Sequence, residues 1–226
     1  MVEPLGNPSK PLPDPGDEFD WIYRPGFNAV RVYHRHPDRP PLVPRTWGPD
    51  ARLDHQVRDR YGNAKVQPDG RGVIYLAGNL PTALAEALPG RSPVEICPNR
   101  YLIVVQSSAP ALLLDISGDG AMRIGAVATL GAGDEKRRKT QRWARRIYED
   151  LPRYQGIGYT SAHQGGGCVV LNERAPRLVA ITPEPGYWLL GPEIGDRVRD
   201  ALDRQGRTPE EIPASGCKAC RDAGLA

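Results

Sequence analysis

Most apolar residues of this chain fall into short runs that are separated by proline, glycine and polar residues. A short apolar run bounded by such turn signals is typical of a buried strand. Five segments have this pattern, namely residues 20–24, 72–77, 101–106, 111–116 and 168–172. The sequence therefore predicts a fold with a β-sheet at its core.

Three further segments have helical patterns. Residues 80–88 directly follow a predicted strand, are rich in alanine and leucine, and end at a proline–glycine pair. Residues 134–151 carry large apolar side chains at four-residue spacing in a charged segment, which predicts an amphipathic helix with a solvated basic face. Those side chains are Trp143, Ile147 and Leu151. With a third helix over residues 193–205, the pattern indicates a mixed α+β domain.

Proline-rich stretches set the expected boundaries. Residues 1–17 contain five prolines and too little apolar surface to offset their ordering entropy, which predicts a flexible or draped arm. Residues 35–49 are interrupted by prolines and predict a loop. We expect an arm over residues 1–17, one folded domain over residues 18–185, and a C-terminal helical extension and tail over residues 186–226.

Composition narrows the class of partner. The 226 residues include 30 lysines and arginines against 27 acidic residues, a net charge of +3, so no strong field favours direct nucleic-acid binding. The chain has no apolar run long enough to span a membrane, and its first residues lack a secretion signal. We therefore expect a cytoplasmic protein with no membrane contact.

The cysteines give little indication of a metal. Cys217 and Cys220 form one CxxC pair, whereas Cys97 and Cys168 are isolated in the sequence. A structural zinc ion needs four ligands, so the pair would have to recruit the other cysteines, a histidine or a second subunit. The alternative is that Cys217 and Cys220 are an inert pair on the surface and bind no metal. The histidines form no HExxH motif, and we expect no metal.

Five motifs give more specific information. They are YR at residues 23–24, ARLDH at 51–55, VIYLAGNLPTALAE at 73–86, TQRWARRIYED at 140–150 and GIGYTSAHQGGGCVVLNER at 156–174. In order and spacing they resemble the successive motifs of the RES domain family, and the resemblance covers roughly residues 20–175. The positions that match the arginine, glutamate and serine of the family name are Arg52, Glu86 and Ser161. Arg24 and Tyr75 match two further polar positions.

The resemblance implies a fold similar to the diphtheria-toxin-like ADP-ribosyltransferases, with a β-sheet core and flanking helices. It also implies NAD as the substrate, with cleavage of the nicotinamide–ribose bond by water or phosphate. RES proteins are commonly toxins that are neutralised by an Xre-type helix-turn-helix antitoxin. Two other functions stay open: transfer of ADP-ribose to a protein, and a decayed site that serves only for binding. The sequence does not decide whether the chain forms a homo-oligomer.

Glu86 is the residue we expect to act in catalysis. Cleaving the N-glycosidic bond develops oxocarbenium character on the ribose, and a nearby carboxylate stabilises that charge in the transition state. Glu86 is a lone charge among alanines and leucines, although an exposed helix position would explain it equally well. Tyr75 is expected to contact the nicotinamide or the ribose, and its alternative is a core tyrosine.

The phosphates of NAD require forked cationic groups. Arginine binds phosphate better than lysine does because its guanidinium donates two parallel hydrogen bonds. We assign this role to Arg24 and Arg52, with Tyr23 as a further substrate contact. The motif around Arg52 departs from the GRF usual in the family, because Ala51 and Leu53 flank the arginine. Nearby alternatives for this position are Arg58 and Arg60.

Ser161 ends a GxGxxS stretch whose glycines would allow the backbone to approach a ligand. The serine lacks the G-x-S-x-G context of a hydrolase nucleophile, so we expect it to bind or orient rather than attack. His163, two residues further on, is therefore not its base. Residues 58–71 contain two turn signals, and we expect them to cover the site like a lid.

Overall fold

The computed structural model describes residues 5–90, 92–131 and 136–226. Its strands are β1 Asp20–Tyr23, β2 Ala29–His34, β3 Trp47–Gly48, β4 Lys65–Val66, β5 Val73–Ala77, β6 Val94–Ile96, β7 Arg100–Ser107, β8 Ala111–Asp115, β9 Gly156–Thr160, β10 Gly167–Asn172, β11 Leu178–Ala180, β12 Tyr187–Trp188 and β13 Pro209–Glu211. Its α-helices are α1 Leu80–Ala87, α2 Asp119–Arg123, α3 Arg137–Asp150, α4 Gly195–Asp203 and α5 Lys218–Asp222. Short 3-10 helices lie at Asp17–Phe19 and Ala214–Gly216.

One large sheet organises the molecule. Its strands lie in the order β1-β8-β9-β10-β5-β2-β7-β11, and β12 also pairs with β7. All neighbours are antiparallel except β8 and β9. Two small sheets lie outside it, one of β3 and β4 and one of β6 and β13. The predicted mixed α+β domain with a β-sheet core is confirmed.

The large sheet opens between β5 and β2. These two strands are joined through the pair Val30 and Ala77. Further along β5, Val73 instead forms a bridge with Arg45, with N···O distances of 2.8 and 3.1 Å. Between these two points the edge of β5 has no strand partner in the described part of the chain. The resulting gap leaves an opening on the face of the sheet that carries the Tyr75 side chain.

Alternation along β5 separates the two faces of the sheet, as expected for a strand with a side-chain period of two. Val73 and Ala77 belong to the larger buried cluster, whereas Ile74 and Leu76 belong to the smaller one on the opposite face. Helices α1, α3 and α4 pack on the first face. Their fully buried side chains include Leu84, Trp143, Ile147 and Val198.

Helix α3 carries the apolar face that the four-residue spacing predicts, since Trp143, Ile147 and Leu151 are all buried. The first residues of the predicted segment, 134 and 135, lie outside the described residues. The N-terminal arm runs along this helix from residue 5 onward. Trp143 Nε1 donates to the carbonyl of Gly6 at 3.0 Å, and Leu5 and Leu12 are buried.

Several elements were not predicted. Strand β2 was missed, and within residues 35–49, predicted to be a loop, Trp47 and Gly48 form the short strand β3. Beyond residue 185 the chain adds β12 to the large sheet and β13 to β6, and Leu189, Val198 and Leu202 are fully buried. This part of the chain therefore contributes to the same core. None of the described helices is long and apolar enough to cross a membrane.

Candidate active site

A cavity of about 250 Å³ lies at the gap between β5 and β2. Its floor is the face of β5, β10 and β9, where Ala77 pairs with Cys168 and Cys168 pairs with Tyr159. Helix α1 and the loop of residues 51–53 form its sides. The polar and ionisable side chains that line it are those of Arg31, Arg45, Arg52, Tyr75, Glu86, Tyr159, His163 and Cys168.

Glu86 and Ser161 meet at this cavity, although 75 residues separate them in the chain. The Ser161 hydroxyl donates to Glu86 Oε1 at 2.6 Å. Ser161 Oγ in turn accepts from the amides of His163 and Gln164 at 3.2 and 3.3 Å. These bonds fix the hydroxyl proton towards the carboxylate. Ser161 thus has the geometry of an orienting group.

Helix α1 and the loop after Ser161 hold this pair in place. Asn79 caps the helix by accepting from the amide of Thr82 at 2.9 Å, which satisfies a free N–H of the first turn. Thr82 Oγ1 also donates to Gln164 Oε1 at 2.7 Å. A Cβ at Gly166 would lie 2.0 Å from Thr82 Oγ1, so the loop packs this tightly only with glycine there.

The loop that carries Arg52 is anchored by helix α3. Thr140 Oγ1 donates to the carbonyl of Arg52 at 2.7 Å, and Gln141 Nε2 donates to the carbonyl of Ala51 at 2.9 Å. The Arg52 side chain lines the cavity, and its buried Nη1 has no hydrogen-bond partner among the described residues. A buried guanidinium nitrogen without a partner is available to an anionic ligand.

Asp54 connects the same loop to the floor of the cavity. Its fully buried carboxylate accepts from Arg45 Nη2 at 2.7 Å, from the amides of Asp50 and Ala51, and from the Tyr75 hydroxyl at 2.8 Å. Burial, together with the Asp54 charge, raises the pKa of Tyr75 well above its usual value. Tyr75 is therefore a neutral hydroxyl, and its proton is committed to Asp54.

Arg31 is a site residue that the sequence reasoning missed. It lies in β2 and lines the cavity, and its buried Nη1 has no partner in the described part of the chain. Burial and the nearby charge of Arg45 lower its pKa to about 10, so it is still a cation at neutral pH. The signal in the sequence was an arginine inside the run AVRVYH, where a charge in an otherwise strand-like segment needs a partner.

Tyr159 and Cys168 add polar groups to the floor. Burial raises the pKa of Cys168 to about 12, helped by the charge of Glu86, and raises the pKa of Tyr159 well above its usual value. Both groups are therefore neutral at neutral pH. A thiol with this pKa is a poor nucleophile, because the thiolate is the reactive form.

The glycines of the GxGxxS stretch have a role in packing. A Cβ at Gly156 would lie 2.4 Å from the carbonyl oxygen of Val170, and one at Gly158 would lie 2.2 Å from the ring of Trp21. These glycines give space to a neighbouring strand and to a tryptophan. The packing explains both glycines, and close approach of a ligand to them stays a prediction.

Not every predicted site residue lies at the cavity. Tyr23 is buried on the opposite face of the sheet, where its hydroxyl donates to the carbonyl of Phe27, and Arg24 is exposed after β1. Neither lines the cavity, because β1 is an edge strand separated from β5 by three strands. Their predicted contact with substrate has no support at this cavity.

The alternatives to Arg52 also lie elsewhere. Arg58 bonds Gln141 Oε1 at 2.8 Å, and Arg60 stacks over the ring of Tyr61. Neither lines the cavity, so the geometry favours Arg52. No residue from 58 to 71 lines it either, and the predicted lid is not formed over this cavity.

A larger cavity of about 480 Å³ lies on the other side of the sheet and is lined mainly by prolines and by residues of β10 and β11. It contains none of the positions that match the family motif. The smaller cavity combines a carboxylate with two guanidinium groups whose buried Nη1 atoms have no partner among the described residues, and it is the candidate active site.

Comparison with known proteins adds three findings. The RES domain model matches residues 30–191. A solved structure described as the crystal structure of the M. tuberculosis MbcT–MbcA toxin–antitoxin complex is similar at 17% identity, with a TM-score of 0.43. The match covers 73% of this chain and 87% of that chain. No curated protein matches the chain.

Proposed function

Because the chain belongs to the RES domain family, we propose that it is an enzyme that cleaves the nicotinamide–ribose bond of NAD. One observation carries the proposal: the Glu86 carboxylate, oriented by Ser161, shares a cavity with two arginines that have unpartnered buried donors. A glycosidic cleavage of a dinucleotide needs these two features together, a negative charge at the ribose and positive charge at the phosphates.

Glu86 stabilises the transition state. When the bond between the ribose and the nicotinamide breaks, nicotinamide leaves with the electron pair and becomes neutral, and positive charge develops on the ribose. A carboxylate held beside the ribose is attracted more strongly to this charge than to the ground state. The Ser161 hydroxyl keeps one Glu86 oxygen in place and leaves the other for a ribose hydroxyl.

Arg31 and Arg52 bind the phosphates. Each has a buried nitrogen without a partner among the described residues, and a forked guanidinium suits a phosphate oxygen pair. The cavity of about 250 Å³ is slightly below the range of about 300–1,000 Å³ usual for ligand pockets, so it encloses only part of a dinucleotide. The rest of the dinucleotide then lies outside the cavity.

The acceptor of the ADP-ribose is water or phosphate in this proposal. Tyr159 and Cys168 are neutral at neutral pH and are therefore not the attacking groups. We also propose, from the family resemblance alone, an ADP-ribosyltransferase-like fold, a cytoplasmic location, and a toxin that an Xre-type helix-turn-helix antitoxin neutralises.

The test is nicotinamide release from NAD by the purified protein, with and without inorganic phosphate, beside a Glu86→Gln variant. We expect release by the wild type and a loss of about 100-fold or more in the variant, because the amide carries no charge to stabilise the ribose cation. A dependence on phosphate identifies phosphorolysis. Circular dichroism of both proteins shows whether the variant is folded.

Three outcomes would contradict the proposal. Full turnover by Glu86→Gln would remove the carboxylate from the reaction. Nicotinamide release that occurs only in the presence of a protein target, with labelled ADP-ribose found on that protein, would indicate ADP-ribosyl transfer. If the wild type neither releases nicotinamide nor labels a protein, the chain is a binding module with a decayed site.

A further inference from the structure

The three cysteines outside the cavity gather around one histidine. His34 ends β2, Cys97 follows β6, and Cys217 and Cys220 lie at the start of α5. The ligand atoms of all four side chains lie within 4.8 Å of one another. His34 Nε2 is 3.2 Å from Cys220 Sγ and 3.9 Å from Cys217 Sγ, and the sulfurs of Cys97 and Cys220 are 3.5 Å apart.

These distances suit a tetrahedral ion rather than a disulfide. A disulfide requires sulfurs about 2.05 Å apart, and all the cysteines are free. Around a zinc ion with Zn–S near about 2.3 Å and Zn–N near about 2.0 Å, tetrahedral ligand atoms lie about 3.6–3.8 Å from each other. Three of the pairs in this cluster lie 3.2, 3.5 and 3.9 Å apart and all lie within 4.8 Å, which is close to the spacing expected around one ion.

The apolar packing around the cluster is weak. Cys97, Cys217 and Cys220 are buried, but their apolar neighbours are small or only partly buried: Ile212, Ala214, Ala219 and Leu225. Among the described residues, the end of the chain is otherwise attached mainly by the three-residue pairing of β13 with β6 and by the backbone hydrogen bonds beside it, such as that from the Ile212 amide to the Ile96 carbonyl. A helix as short as α5 is not stable on its own. An ion would supply the attachment that the packing lacks.

The surroundings also compensate the charge. Three thiolates and one Zn²⁺ leave one net negative charge, and the partly buried guanidinium of Arg100, the cross-strand partner of His34, interacts electrostatically with all three cysteines. Asn99 Nδ2 donates to Cys220 Sγ at 3.4 Å. Donors of this kind around thiolate ligands are the usual outer shell of a metal site.

We propose that His34, Cys97, Cys217 and Cys220 bind one structural Zn²⁺, which joins the C-terminal segment to the ends of β2 and β6. Protein atoms fill all four positions, so the ion has no open position for a substrate. The sequence expectation of an inert surface pair is wrong about exposure, because Cys217 and Cys220 are 8% and 0% exposed. The sequence analysis predicted that no metal is bound, and this proposal contradicts that prediction.

The first test is the metal content of the purified full chain, measured by mass spectrometry under reducing conditions. We expect about one zinc ion per chain. Exchange with Co²⁺ should give the intense sulfur-to-cobalt charge-transfer absorption of a tetrahedral thiolate site. A reduced chain that holds no zinc and takes up no Co²⁺ would overturn the proposal, as would a disulfide between Cys217 and Cys220 in the freshly purified protein.

Matched variants locate the ligands. His34→Asn should bind zinc at least 10-fold more weakly, whereas His36→Asn, two residues further along, should keep it. Cys220→Ser should lose the ion, and Cys168→Ala, which alters the cysteine in the cavity, should retain it. Equal zinc affinity in His34→Asn and His36→Asn would contradict the assignment. A chelator should lower the Tm of the wild type but not that of a folded Cys220→Ser.

Discussion

Ser161 is the residue whose role the geometry defines most narrowly. It donates to Glu86 at 2.6 Å and is itself held by two backbone amides, so its contribution to the proposed reaction is to fix the position of the carboxylate. Removing the hydroxyl leaves the charge of Glu86 in place. The expected effect is therefore on orientation and smaller than that of Glu86→Gln.

Ser161→Ala should lower kcat for nicotinamide release by about 10-fold, which corresponds to about 1.4 kcal/mol, the net worth of one hydrogen bond to a charged group. The measurement is steady-state kinetics with NAD. Thr160→Ala, at the adjacent position, is the control, because the Thr160 hydroxyl contacts Ser117 rather than Glu86. If the two variants have the same kcat, Ser161 does not orient the carboxylate.

Arg52→Lys tests the phosphate contact. Lysine keeps the charge but loses the fork that binds two phosphate oxygens, so we expect KM for NAD to rise by about 10-fold while kcat changes less. Arg60→Lys is the control, since Arg60 stacks on Tyr61 outside the cavity. If KM rises only in the Arg60 variant, Arg60 rather than Arg52 is the phosphate-binding arginine of the family motif.

At the scale of elements, strand β9 depends on its glycines for packing. The ring of Trp21 lies where a side chain at Gly158 would be, with its nearest carbon 2.2 Å from a Cβ. Because Trp21 and Gly158 lie on different strands, β1 and β9, this contact fixes the spacing of β8 and its two neighbours. An added methyl group must move either the ring or the strand.

Gly158→Ala should reduce the free energy of unfolding by about 1–3 kcal/mol, the usual cost of overpacking a core. Denaturant unfolding measures it. Gly167→Ala in β10 is the control, because a Cβ there meets nothing within 4 Å. In a background with Trp21→Ala, the effect of Gly158→Ala should shrink, since the clashing ring is gone. The same loss of stability with and without Trp21 would refute the explanation.

An element could be predicted from the sequence when its own residues carry a recognisable apolar pattern. Strand β5 and helices α1 and α3 were predicted because each carries its own apolar period. Strands β6, β11, β12 and β13 have two or three residues each and exist through pairing with distant segments, which no local pattern records. Strand β2 has an alternating pattern in its VRV core, so it was predictable and was missed.

The candidate site divides in the same way. Glu86, Ser161, Arg52 and Tyr75 came from a family resemblance. That three of them line one cavity, with Ser161 hydrogen-bonded to Glu86, is a property of the folded chain. Asp54 was missed because its role depends on burial and on four donors from different segments. The sequence left open that the CxxC pair recruits another cysteine and a histidine, but it could not say which, because Cys97 and His34 lie more than one hundred residues away in the chain.

At the scale of the whole molecule, Glu173 joins parts of the chain that the sequence separates. Its carboxylate accepts from the Tyr148 hydroxyl in α3 at 2.6 Å and from the amide of Gly72 before β5 at 2.9 Å, and His55 Nε2 lies 3.5 Å away. Tyr148 stacks on His55 with ring centroids 4.0 Å apart, and the Arg174 guanidinium lies 3.7 Å from the centroid of the Tyr148 ring. This junction holds α3 against the sheet beside the loop that carries Arg52.

The charge on Glu173 makes that junction sensitive to acid. Burial alone would raise the pKa of Glu173, but the nearby His55 ring and hydrogen bonds from Tyr148 and the Gly72 amide outweigh it and lower the pKa to about 2. A carboxylate with a lowered pKa stabilises the fold fully above its unfolded pKa, near about 4.5, and this stability is lost as the pH falls towards 2. Thermal unfolding should therefore show a smaller decrease of Tm between pH 6 and about 3 for Glu173→Gln than for the wild type. Glu193→Gln, at an exposed position, is the control, and its Tm should fall with pH as the wild-type Tm does. If the Tm of Glu173→Gln falls by the same amount as those of the other two proteins, the Glu173 carboxylate does not contribute to the loss of stability in acid.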